Sequence, residues 1–145
     1  GFALDRLLDG APAISGSLLD HRRIPKPAYE AVAAACAETI VVADPPPLSI
    51  TPRSTLQCQV LVVHDGRAPI DHIRVDAVLT VSGREQTWSW GGSIEGDSVT
   101  LIGTIQHQLG DAIGEVLLDL RVTRTAPPAG GQTTTNHYRG RIGAG

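Results

Sequence analysis

The sequence predicts a mainly β protein: an immunoglobulin-like antiparallel β-sandwich preceded by a short strand, a loop and one α-helix. Three observations carry that expectation. From Thr39 onward apolar and polar residues alternate with a period of two, the spacing that puts one face of a strand in a core. Turn residues punctuate that alternation at intervals of about 8–12 residues, as in sandwiches. No helical pattern interrupts the strands, which argues against a parallel βαβ sheet.

Residues 1–38 read differently from the rest. A short apolar strand signal at residues 14–19 gives way to the charged turn Asp20-His21-Arg22-Arg23. Two prolines bracket Lys26, and an alanine-rich helix begins at about Pro27. Proline suits a first helical turn because that N–H has no intrahelical partner and the ring already fixes a helical φ. Tyr29, Val32, Ala33 and Cys36 follow the i, i+3, i+4, i+7 spacing and predict one apolar stripe on a helix of about three turns.

The strands follow in order. Residues 40–43 form a short apolar strand ended by Asp44 and the run Pro45-Pro46-Pro47, which cannot donate to a ladder. Leu56, Cys58, Val60 and Val62 mark the inward face of the next strand, which stops at His64-Asp65-Gly66-Arg67. Ile73, Val75, Ala77, Leu79 and Val81 mark the clearest strand. Ser82-Gly83-Arg84 turns it into residues 86–90, with Trp88 and Trp90 on one face. Val99, Leu101, Gly103 and Ile105 read as one face of the following strand, and Val116, Leu118, Leu120 and Val122 as that of the next. A last strand, Thr133–Ile142, follows a loop at residues 126–131.

Composition narrows the function. At 145 residues the chain is long enough to bury a substantial core. Its only aromatics are Phe2, Tyr29, Trp88, Trp90 and Tyr138, so aliphatic residues must fill that core. A net charge of −3 with interspersed signs gives no basic face for nucleic acid or for an anionic membrane surface. No apolar run approaches the roughly 18–20 residues of a membrane span. The first residues lack the layout of a secretion signal, which leaves the destination of any longer parent open. Two cysteines make no disulfide framework; Cys36 and Cys58 are either bridged, tying helix to sheet, or free.

The wording of the first segment is more specific than its spacing. Asp9-Gly10-Ala11-Pro12-Ala13-Ile14-Ser15-Gly16-Ser17-Leu18-Leu19-Asp20, then Arg23-Ile24-Pro25-Lys26-Pro27-Ala28-Tyr29, resembles the end of the catalytic barrel in glycoside hydrolase family 2, within its β-mannosidase and β-galactosidase-like branch. In that family an R-x-P-K-x-x-Y element opens the last barrel helix, and Thr39-Ile40-Val41-Val42-Ala43 is similar to the strand that starts the following immunoglobulin-like domain. The resemblance covers about residues 3–45. It implies that residues 1–38 end a barrel, that residues 39–145 are an accessory sandwich, and that an upstream catalytic barrel is the partner. Asp9, Asp20, His21, Arg22 and Arg23 would then lie in a substrate-side loop or at a domain contact. The family usually carries Trp where Ala11 and Gly16 stand, so the likeness does not extend to those aromatic positions.

Catalytic chemistry is not expected in this chain. A retaining glycosidase needs two carboxylates about 5–5.5 Å apart. The resemblance implies that both are glutamates upstream of Gly1, and none of Glu30, Glu38, Glu85, Glu95 and Glu115 sits in such a motif. His21, His64, His72, His107 and His137 are scattered without the close spacing of a zinc site, and no glycine fingerprint cradles a phosphate. No metal or cofactor is therefore expected. Trp88 and Trp90 read either as core residues or as a flat platform for sugar rings. The platform belongs to the alternative function, a freestanding carbohydrate- or protein-binding sandwich. Phe2, Leu4, Leu7, Leu8 and Ile14 would be buried in a complete barrel, and residues 1–15 are the expected route to self-association without one.

Overall fold

The alternation that starts at Thr39 becomes eight strands stacked in two sheets. In a computed structural model, which describes residues 4–12, 15–124 and 133–143, the chain divides into two units, Gly1–Ala37 and Glu38–Gly145. Phe2, Ile14 and the loop at residues 126–131 lie outside the described residues.

In the first unit, three backbone hydrogen bonds fold the chain back on itself: Leu19 N to Leu7 O (2.9 Å), Asp9 N to Leu19 O (3.1 Å) and Lys26 N to Leu18 O (2.8 Å). Among the described residues the strand expected at 14–19 is reduced to single bridges, Leu19 beside Leu8 in parallel and beside Pro25 in antiparallel sense. Polar side chains rather than a ladder hold this segment, as described below. Helix α1 (Ala28–Ala35) starts directly after Pro27 and ends at Cys36, whose N–H reaches Val32 O at 2.9 Å. It makes two turns instead of the expected three. None of its residues is buried, so the stripe of Tyr29, Val32 and Ala33 is only partly screened from water.

The second unit is a β-sandwich. Its strands are β1 (Thr39–Ala43), β2 (Ser49–Ile50), β3 (Thr55–His64), β4 (Ile70–Val81), β5 (Arg84–Ile94), β6 (Ser98–Gln108), β7 (Gly114–Arg124) and β8 (Thr133–Ile142). One sheet has the order β1-β3-β6, the other β2-β8-β7-β4-β5. The three-stranded sheet is antiparallel throughout. The five-stranded sheet is mixed, because β2 runs parallel to β8, with Ser49 beside Arg141 and Ile50 beside Ile142. The chain crosses between sheets after the three prolines, and a two-residue strand is too short to show any alternation in sequence. The β4–β5 hairpin closes on Ser82 and Gly83, both at positive φ (48° and 79°), the two-residue turn whose twist matches the flanking strands.

The core lies between the sheets. Leu56, Cys58, Val60 and Val62 of β3 face Val75, Ala77 and Leu79 of β4 and Val116, Leu118 and Leu120 of β7 in one buried aliphatic cluster. Each valine or leucine among them contributes about 1.5–3 kcal/mol by leaving water. Both cysteines are free; burial pushes the Cys58 thiol up, while Cys36 is exposed.

The face expected on β6 needs correction. Ile105 is fully buried and Gly103 faces inward, yet Val99 and Leu101 are 64% and 54% exposed. A register shift opposite Val60 and Leu61 inserts one extra residue, Ile102, between the two halves of the strand. One inserted residue moves every following side chain to the other face. Val99 and Leu101 therefore belong to the outer surface.

Candidate functional site

The first unit closes around a carboxylate. Asp9 is 3% exposed, and its Oδ2 stands 2.7 Å from Lys26 Nζ. Oδ1 accepts hydrogen bonds from the hydroxyls of Ser17 (2.8 Å) and Ser15. Lys26 Nζ in turn donates to Ser17 Oγ (2.8 Å) and to the Ser15 carbonyl (3.2 Å). The backbone builds this knot: the bonds from Asp9 to Leu19 and from Lys26 to Leu18 bring three separate segments side by side. The hydrogen bond from Lys26, then those from Ser15 and Ser17, hold the Asp9 carboxyl well below its ordinary range. Asp9 is thus a fixed anion with its own cation, suited to holding structure and poorly suited to proton transfer near neutral pH.

Asp20 does a different job. Its Oδ1 accepts the backbone N–H groups of Arg22 and Ile24, both at 2.8 Å, and Asp20 N donates to Ile24 O at 3.0 Å. The bond from Ile24 is the first cause of a lowered Asp20 pKa. Arg23 sits at φ 65° inside this tight turn. The side chains of His21, Arg22 and Arg23 are exposed on its outside. The five candidates therefore split: Asp9 joins the buried knot, Asp20 caps the turn, and His21, Arg22 and Arg23 face solvent. Lys26, Ser15 and Ser17 were not singled out from sequence, although the two prolines that fix the backbone on either side of Lys26 are a visible signal.

In the sandwich, Trp88 and Trp90 pair across the sheet with the buried residues Ala77 and Val75 and pack partly buried against the core. The indole of Trp90 lies against Gly103, where a Cβ would run into the ring. A second polar cluster ties β1 to β3. His64 is 2% exposed, with Nδ1 2.9 Å from Thr39 Oγ1 and Nε2 3.0 Å from the Ala68 carbonyl. Arg124 reaches Thr39 Oγ1 and pairs with Glu38 at 2.7 Å, which lowers the Glu38 pKa. Each ring nitrogen of His64 thus has an oxygen partner, the pattern of a satisfied core histidine. Among the described residues no three His, Cys, Asp or Glu side chains converge to hold a metal ion.

Two of the open grooves on the sandwich surface are lined by charged and histidine side chains. One, of about 770 Å³, lies between the β4–β5 turn and the segment after β6, with Arg84, Gln86, His107 and Asp111 among its walls. The other, of about 630 Å³, lies on the outer face of the five-stranded sheet beside Asp76, Asp119, Arg121 and His137.

No family model and no curated protein matches the sequence. Among solved structures the chain is similar to Spo0M, a sporulation control protein from Bacillus subtilis, at 15% identity and a TM-score of 0.46. The likeness covers 75% of this chain and 51% of that one, so the chain spans about half the length of Spo0M. At that level it says nothing about function.

Proposed function

We propose that this chain is a non-catalytic C-terminal portion of a family 2 glycoside hydrolase, of the β-mannosidase or β-galactosidase type. Residues 1–38 would close a catalytic barrel, and the following sandwich, of immunoglobulin-like type, would support that barrel or make subunit contacts. Hydrolysis of glycosidic bonds belongs to the parent enzyme.

One observation carries the proposal. The residues on which the resemblance rests lie in separate segments between positions 9 and 26, and Asp9, Ser15, Ser17 and Lys26 meet in a single hydrogen-bonded knot around the buried Asp9 carboxylate. A chance similarity of wording gives no reason for its separate pieces to be one another's partners. A barrel end does, because the loop after its last strand must be held against the start of its last helix. The knot also assigns Asp9 a structural role, in keeping with catalytic glutamates elsewhere.

The coding sequence ahead of Gly1 tests the proposal directly. An in-frame barrel carrying two catalytic glutamates is expected, and an in-frame domain of another kind overturns it. The polypeptide alone should release no nitrophenol above blank from nitrophenyl β-mannoside, β-galactoside or β-glucuronide. Turnover that disappears on mutating one glutamate of this chain would refute the non-catalytic assignment.

A further inference from the structure

The two outer faces of the sandwich differ in charge. That of the five-stranded sheet carries Arg74, Asp76, Glu85, Asp119, Arg121 and Arg139 among others. Among the described residues, that of the three-stranded sheet runs over five cross-strand rows of β1, β3 and β6 with no acid, base or histidine within the rows. Acids stand at its rim: Asp44, bonded through its N–H to Gln59, and Asp65, just past β3. About a fifth of the chain is charged, so an empty face of this size is out of keeping with the rest of the surface. Two rows are wholly aliphatic: Ile40, Val63 and Val99 in one, Val42, Leu61 and Leu101 in the next. The other three pair glutamine with threonine or with glutamine, as in Gln57 beside Gln106. The bulge at Ile102 is what turns Val99 and Leu101 outward onto this face. Among the described residues no strand of the sandwich covers it.

We propose that this face is a self-association surface on which two copies of the chain stack about a two-fold axis. A two-fold contact sets a patch against itself, so charges on it would meet their own kind unless offset. Within the five rows that repulsion is absent. Glutamine and threonine each donate and accept hydrogen bonds, so they pair with copies of themselves, and aliphatic rows meet aliphatic rows. A charged partner finds nothing within these rows to complement. β3 and β6 together span roughly 33 by 10 Å and the shorter β1 adds roughly 16 by 5 Å, so the pair would bury about 800 Å² in all. That is below the size of a permanent interface and predicts a weak, concentration-dependent dimer. The inference does not depend on the glycosidase reading.

Sedimentation equilibrium on the full chain, from low micromolar to near-millimolar concentration, tests it. The weight-average mass is expected to climb from that of a monomer toward twice that value. Leu101→Glu is expected to stay monomeric over the same range with an unchanged melting midpoint, because the side chain is exposed. Leu101→Lys should behave alike, and an equimolar mixture of the two variants should regain association. Leu7→Glu, on the apolar segment of the first unit, is expected to associate as the parent does. A parent chain monomeric throughout overturns the proposal. So does association that survives Leu101→Glu and is lost in Leu7→Glu, which would put the contact in residues 1–15.

Discussion

Asp9 shows how one side chain can hold a segment that has no ladder. Its carboxyl is held below its ordinary value of 3.8, so it contributes stability that is present above that pH and is lost as the pH falls further. Asp9→Asn should therefore speed amide exchange at Leu19 and Lys26 at neutral pH, with the difference from the parent shrinking as the pH drops below about 4. A difference that persists unchanged in acid would mean that packing, not charge, holds the knot. The Trp90–Gly103 contact makes a second residue-level case. Gly103→Ala forces a methyl group against the indole and should cost about 1–3 kcal/mol, read as a lower urea midpoint. Trp90→Ala should also destabilise, by at most about 3–5 kcal/mol, because the ring is only partly buried. A Trp90→Ala variant that melts normally but loses binding to a mannan would instead favour the sugar platform.

Among the elements, β1 lies at a sheet edge, and its free edge is satisfied by side chains. Thr134 donates to the Thr39 carbonyl (2.7 Å), Asn136 to the Val41 carbonyl (3.1 Å), and Ala43 N donates to the Tyr138 hydroxyl (3.1 Å). These three residues alternate along β8, so one face of a strand in the other sheet stitches the edge closed. Asn136→Ala leaves a buried carbonyl unpaired and should cost about 1–3 kcal/mol, lowering the urea midpoint with an unchanged slope. Such stitching explains what was legible in sequence and what was not. The inward faces of β3, β4 and β7 were readable because aliphatic burial leaves a period of two in the chain. The polar inward face of β8 gave no such signal, since Thr134, Asn136 and Tyr138 look like surface residues until their partners are known. On β6 the bulge defeated the alternation, because the extra residue is set by Val60 and Leu61 across the ladder. The knot around Asp9 was only half visible: its wording stood out, but Lys26 as the partner depends on three backbone bonds between distant segments.

The whole molecule combines two kinds of structure. The first unit has few backbone bonds, and its helix of eight residues buries no side chain, so it has little to resist local opening. Its amides, Cys36 included, should exchange orders of magnitude faster than those of β3 and β4, which lie inside ladders on a fully buried core. Comparable protection in both units would show that the helix draws stability from contacts that its burial does not reveal. The sandwich has its own asymmetry in time. β8 comes after the other seven strands in chain order, yet it pairs with β2 and supplies the side chains that finish β1, across some ninety-five residues of chain. Contacts of that span are slow to form, because the intervening loop must be closed before they stabilise anything. A growing polypeptide on the ribosome would carry β1 with an open edge while some ninety-five further residues are made, and the sheet could not be completed until Ile142 had left the exit tunnel. Chains released early would be exposed to sticking and proteolysis in a way that finished ones are not.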